Sequence, residues 1–248
     1  MTKKTILTLA SVAASSSIAS AAIITVTETG GDNEPTDTIP AVWTGVTYNT
    51  VQNNEPVPGN PAGTPYTVGT FQSTAPAFVD RNHRYLDDPS GGLTVPSYLV
   101  GQEYIMSGND NRDNAGYILD IEIDTLSRIY MLIDNRLSDG NNATPPGIGG
   151  GFMDWINTDG WVPMLTGNNR TSDNLIPDEV PFDEGANNTI DQWYSVYFKD
   201  FAAGTAQVFQ ADNAGRNMYG VVVAPIPEPS SIGLLALAAA GLLRRRRA

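Results

Sequence analysis

The sequence predicts an all-β fold, an antiparallel β-sandwich or jelly roll. It is flanked by a cleavable amino-terminal signal peptide and a short carboxy-terminal membrane helix. Three observations lead there. Apolar and polar residues alternate in short runs, and no long segment carries apolar residues at helical spacing. Turn-forming residues split those runs, with 24 glycines and 17 prolines in 248 residues. The two ends are apolar and basic, whereas the stretch between them is acidic.

The amino end reads as an export signal. Lys3 and Lys4 form a positive region, and Thr5 to Ala14 is an apolar, small-residue stretch. Ala19-Ser20-Ala21 supplies small residues at −3 and −1 of a cleavage site, so Ala19 and Ala21 are the candidate cleavage residues. Cutting is expected after Ala21, or after Ala22 with Ser20 at −3. The chain therefore divides into a signal peptide at 1–21, a β-sandwich body at 22–224 and a sorting segment at 225–248.

Within the body the candidate strands are Ile23–Thr27, Val42–Tyr48, Tyr66–Phe71, Ser97–Met106, Gly116–Asp124, Arg128–Asp134, Trp193–Phe198, Thr205–Phe209 and Met218–Val223. Gly116 to Asp134 reads as a hairpin with its turn at Thr125-Leu126-Ser127. In its first strand Leu119, Ile121 and Ile123 face one way and Asp120, Glu122 and Asp124 the other, because side chains alternate with a period of two. In the return strand Ile129, Met131 and Ile133 share one face and Tyr130 and Leu132 the other. A strand apolar on both faces is expected at the centre of a sheet. Asn53 to Pro65, Asp139 to Gly151 and Asn168 to Asn188 read as loops, where binding residues concentrate. The Pro-rich stretch before Tyr66 is a possible division within the body. Pro225 to Pro229 reads as a stiff linker.

Charge and composition exclude several functions. Between Ile23 and Ile226 there are 8 basic and 26 acidic residues, a formal balance of −18. Such a surface repels nucleic acid and anionic lipid. The chain has no cysteine, which excludes disulfides, thiolate metal sites and cysteine nucleophiles. His83 is the only histidine, and Asp80-Arg81-Asn82-His83-Arg84 reads as a solvated loop. No phosphate-binding glycine loop follows a strand and opens a helix. No residue earns a catalytic role.

Four groups of residues invite a binding role. Asn109-Asp110-Asn111-Arg112-Asp113-Asn114 packs oxygen donors into one turn, as calcium requires, with Asp110 and Asp113 as candidate ligands. The same residues suit a polar turn that satisfies its own backbone, and no other cofactor is expected. Asp134 and Arg136, at a strand end, suit either bidentate contact with a sugar or an ion pair that pins the next loop; pinning is the better reading. Trp155 and Trp161, with Asp154 adjacent, suit stacking on a pyranose ring with the carboxylate taking hydroxyls. Aromatic residues also fill sandwich cores. Asp178, Glu179, Asp183 and Glu184 form an acidic cluster that reads as solvated surface rather than as a catalytic pair.

The carboxyl end is the most specific segment. Pro227-Glu228-Pro229 is followed by an apolar run from Ser231 to Leu243 and then Arg244, Arg245, Arg246 and Arg247. The run of 13 residues spans on the order of 20 Å as a helix, against a hydrocarbon core of about 30 Å. It is short for a permanent span, and the arginines resist translocation. This tripartite tail resembles the PEP-CTERM sorting signal of Gram-negative bacteria. The resemblance implies recognition by an exosortase, a membrane cysteine protease that removes the helix near the tripeptide. It also implies a link to exopolysaccharide and biofilm production. A more diffuse similarity to galactose-binding-like jelly rolls runs from Tyr130 through Asp134-Asn135-Arg136 to Met153-Asp154-Trp155-Ile156 and Gly160-Trp161.

The expected protein is exported by the general secretion machinery, anchored transiently in the inner membrane, and then displayed at the cell surface or released. Its expected work is structural, adhesive or carbohydrate-binding, with exopolysaccharide as a partner and no nucleic acid. A polysaccharide-active enzyme (glycoside hydrolase or lyase) and a calcium-stabilised matrix component are the alternatives.

Overall fold

The structure is a computed structural model that describes residues 22–31, 47–48, 66–67, 70–185, 187–210 and 215–227. The expected signal peptide with Ala19 and Ala21, the loop Asn53 to Pro65, and the tail from Glu228 onward lie outside those residues.

The described chain is predominantly β, in two main antiparallel sheets around one core. Its strands are β1 (Ile23–Thr29), β2 (Thr47–Tyr48), β3 (Tyr66–Thr67), β4 (Arg84–Tyr85), β5 (Glu103–Ile105), β6 (Ile118–Ile123), β7 (Ser127–Asp134), β8 (Val162–Pro163), β9 (Glu179–Asp183), β10 (Gln192–Phe201), β11 (Gly204–Phe209) and β12 (Gly220–Pro225). One short helix, α1 (Asp154–Thr158), and a 3-10 turn (Asp110–Asp113) interrupt them. The smaller sheet has the order β1-β6-β11, and the larger β4-β9-β10-β7-β12-β5 with β8 added against β10. β2 and β3 pair with each other.

The larger sheet is covered on both faces. Residues directly opposite across antiparallel strands share a face. Tyr130, paired with Phe198 and Val222, and Tyr194, paired with Val180, therefore belong to one face with Tyr104 and Phe182. The segment from Phe71 to Leu99 covers this face. Phe71 packs on Tyr85 and Tyr104, Phe78 on Phe182, and Tyr98 stacks on Tyr130 at 5.2 Å. Each such ring, once buried, stabilises the fold by about 1.5–3 kcal/mol. Gly220 lies beneath this layer, where a Cβ would overlap the Tyr85 hydroxyl.

The opposite face, with Ile129, Met131, Ile133, Val221 and Val223, lies toward the smaller sheet. Leu119, Ile121 and Ile123 of β6, Val26 of β1, and Ala206 and Val208 of β11 join it in the same core. Glu103 ties the sheets together, because its Oε2 accepts the main-chain N–H groups of Ala22 and Ile23 at 2.6 and 3.1 Å.

The faces of the expected Gly116–Asp134 hairpin are as read, but the two strands are not partners. β6 pairs with β1 and β11, whereas β7 pairs with β10 and β12. The connection between them crosses from one sheet to the other, and Ser127 already belongs to β7. The cause is burial. β7 is apolar on both faces and needs cover on each side, while β6 has the polar face Asp120–Glu122 and suits an outer sheet.

Other expectations need correction. The segment Asn168 to Asn188 is not all loop, because Glu179–Asp183 forms the fully buried strand β9. Only Glu103–Ile105 of the Ser97–Met106 run is strand; Gly101, at φ 84°, turns the chain before it. Pro225, read as the start of a linker, is the last residue of β12 and pairs with Ser127. His83 is not in a solvated loop. It packs edge-on against Phe78 and Phe182, and burial pushes its pKa down to about 4.

Candidate functional site

A cleft opens where the start of β6, the end of β11 and the start of α1 meet. Its volume is about 350 Å³, at the small end of the usual range of small-molecule pockets. Tyr117, Met153, Asp154, Trp155, Phe209 and Gln210 line it, with Gly116 and Gly151 at its edge.

Local sequence explains the wall formed by α1. Gly149, Gly150 and Gly151 all have positive φ (120°, 66° and 103°), which glycine adopts without steric cost. Met153 follows at φ 47°, a left-handed conformation that costs a side-chain-bearing residue about 1–2 kcal/mol. Its buried side chain anchors the turn in the core. The turn delivers Asp154 to the surface, where Oδ2 accepts the Gly151 N–H at 3.1 Å. Trp155 is half-buried. Its indole Nε1–H donates to the Gln210 carbonyl at 3.0 Å, and its ring meets Trp161, Phe209 and Tyr219 edge to face. The indole is thereby oriented before any ligand arrives. No Cβ contact within 4 Å exists at Gly116 or Gly151, so the space above both is open.

Of the five residues expected to bind a ligand, Asp154 and Trp155 line this cleft. Trp161 is 5% exposed and supports Trp155 from behind, packed also on Phe201. Asp134 and Arg136 belong to a different network. The guanidinium holds both Asp134 oxygens and reaches Glu184 at 3.1 Å, while Asn217 donates to Asp134 and Glu184. That arrangement pins the loop after β7. Sequence reading missed Tyr117 and Gln210 as cleft residues. Burial raises the Tyr117 hydroxyl well above its ordinary pKa, so it stays protonated and donates to Glu28 at 2.7 Å.

The acidic cluster is mostly buried, not solvated, and each buried carboxylate is filled with donors. Asp178 accepts from Thr166 N and Oγ1, Asn168 N and Tyr98 Oη. Glu179 accepts from Asn135 and from three nitrogens of Arg170. Asp183 accepts from the Arg84 guanidinium and from the amides of Gly185, Asn187 and Asn188. Burial works against its charge, but Arg84 and these amides outweigh it and hold the carboxyl below the usual range.

The oxygen-rich turn is tied up differently. Arg81 lies between two carboxylates, 2.9 Å from Asp80 and 3.4 Å from Asp110. Its contact with Asp80 Oδ2 is an ion pair that lacks hydrogen-bond alignment. Burial, aided by Asp110, pushes the Asp80 carboxyl up to about 7. Asn111 donates to Glu28, and Arg112 to the Asn109 carbonyl. The side chain of Asp113 lies outside the described structure. Among the described residues no group of three or more His, Cys, Asp or Glu is placed to hold a metal ion, and no helix is long and apolar enough to cross a membrane.

Comparison with curated proteins and with solved structures returns no match. The family comparison does match at the carboxyl end, over residues 225–247, which fit the PEP-CTERM protein-sorting motif. That motif implies processing by an exosortase, a membrane protease, and marks the chain for export with a membrane-anchored stage. The chain is therefore a PEP-CTERM motif-bearing exported protein.

Proposed function

We propose that the body is a non-enzymatic carbohydrate-binding domain, displayed at the cell surface or in the extracellular matrix after the tail has been processed. The observation that carries this reading is the position of the cleft. It lies at the Ile118 end of β6, while the tail leaves β12 beside the turn that follows Ile123 at the other end. A strand of six residues separates them by about 20 Å. A chain tethered by its tail would hold the cleft away from the membrane.

The chemistry of the cleft suits a sugar. The half-buried Trp155 offers an apolar surface for the C–H face of a pyranose, and Asp154 beside it accepts hydroxyls. The balance of −18 over the body disfavours anionic uronic-acid polymers. Neutral or amino sugars are the favoured class, and the cell's own exopolysaccharide is the favoured source. Binding is preferred to turnover because glycoside hydrolysis commonly uses two carboxyl groups across a cleft. Among the described side chains lining this one, Asp154 is the only carboxylate.

The test is a panel of neutral, amino and anionic glycans, including native matrix, presented to the processed protein. Neutral or amino glycans should bind, and Gly116→Leu, which fills the open cleft at ordinary φ, should abolish binding. Failure of every glycan to bind, or binding indifferent to Gly116→Leu, would remove this reading.

A further inference from the structure

We infer that removal of the signal peptide builds a structural ion pair between the new α-ammonium group and Glu103. Ala22 is fully buried, and its main-chain nitrogen lies 2.6 Å from Glu103 Oε2. The Ile23 nitrogen lies 3.1 Å from the same oxygen. The carboxylate therefore already meets the nitrogen that cleavage would free, and an ammonium formed there pairs with it without rearrangement.

The residues before it carry the cleavage pattern Ala19-Ser20-Ala21. Hydrolysis by a signal peptidase adds water across the Ala21–Ala22 amide. The Ala21 carbonyl becomes a carboxylate, and the Ala22 nitrogen leaves as an amine that is protonated at neutral pH. That amine then lies against Glu103. Cutting one residue later gives the same pair with Ile23 in place of Ala22.

The pair joins the two sheets. Glu103 opens β5 at the edge of the larger sheet, opposite Val223. Ala22 leads into β1 of the smaller sheet, and its carbonyl accepts the Asp124 N–H at 3.0 Å. Glu103 from β5 is the carboxylate that meets the amine. The inference rests on export and is independent of sugar binding.

The mature chain offers a clean test because Lys199 is its only lysine once residues 1–21 are gone. Processed protein is collected from an exporting host, and its first residue is identified by mass spectrometry. It is then treated, folded and unfolded, with an amine-acylating reagent. Folded protein should be modified at Lys199, with the α-amine reacting at least about 100-fold slower than in the unfolded chain. Glu103→Gln should abolish that protection. A chain beginning at neither Ala22 nor Ile23 would overturn the inference. So would an α-amine that is acylated in the folded wild type as fast as in the unfolded chain, a result that needs no variant to fold.

Discussion

The Ile226 main-chain N–H donates a 2.8 Å hydrogen bond to the Leu126 carbonyl. The fold therefore holds the chain to within one residue of Pro227, where the sorting tripeptide begins. The Ala22 carbonyl accepts from Asp124 two residues before Leu126. Both ends of the body thus leave from one short connection between the sheets.

The first prediction concerns this junction. β12 lies between β7 and β5 in the larger sheet. A chain ending after Pro227 should fold and melt within about 2 °C of the processed protein, since surface changes away from packed groups typically move stability by about 0.5 kcal/mol or less. A chain ending after Tyr219 should fail to fold, because β5 and β7 lose their shared neighbour. Circular dichroism of the two chains decides the matter.

The second concerns pH. Burial raises Asp80 to about 7, so its favourable contribution is present at low pH and is lost as pH rises from about 4 through 7. Burial lowers His83 to about 4. Its contribution is present above its unfolded value of about 6.5 and is lost as pH falls toward 4. The two slopes oppose each other between pH 4 and 6.5. Asp80→Asn should give a melting temperature that rises with pH across that window relative to wild type, and His83→Phe one that falls. Parallel profiles for all three proteins would show that neither group titrates as stated.

The third concerns the buried pair Arg84–Asp183, whose side chains are 7% and 0% exposed. Removing one partner leaves an uncompensated buried charge, at a cost of about 3–5 kcal/mol. Asp183→Ala should lower the melting temperature on the order of 10 °C. Arg84→Met combined with Asp183→Leu should recover much of that loss. Thermal unfolding of the single and double variants checks both statements.

The fourth concerns the cleft. Asp154 is exposed, and its carboxylate accepts the Gly151 N–H. Asp154→Ala should weaken glycan binding by about tenfold or more, as expected for losing a hydrogen bond to a charged group, at a stability cost of about 1 kcal/mol. Titration calorimetry with whichever glycan binds wild type measures the first effect, and denaturant unfolding the second.

Much of the fold was legible from alternation. The period of two placed Leu119, Ile121 and Ile123 inward and made β7 a central strand. Periodicity assigns faces, however, and does not assign neighbours, so the false β6–β7 hairpin followed. β9 was hidden because Glu179, Pro181 and Asp183 look like loop residues until Arg170, Asn135 and Arg84 arrive from other segments to neutralise and cap them. The cleft was half legible. Asp154 and Trp155 adjoin in sequence, but Gln210 is 55 positions beyond Trp155, and Tyr117 comes from a distant segment just ahead of β6. The tail needed no tertiary information, since its signal is a linear order of tripeptide, apolar run and arginines.

The most direct test of the account is fractionation of cells that contain an exosortase and express either the natural chain or one with Pro227, Glu228 and Pro229 all changed to alanine. The natural chain should be found outside the inner membrane, shortened at both ends, as mass spectrometry will show. The alanine chain should stay in the inner membrane with Arg244 to Arg247 still attached. Identical release and trimming of the two chains, or full-length natural chain free in the cytoplasm, would contradict it.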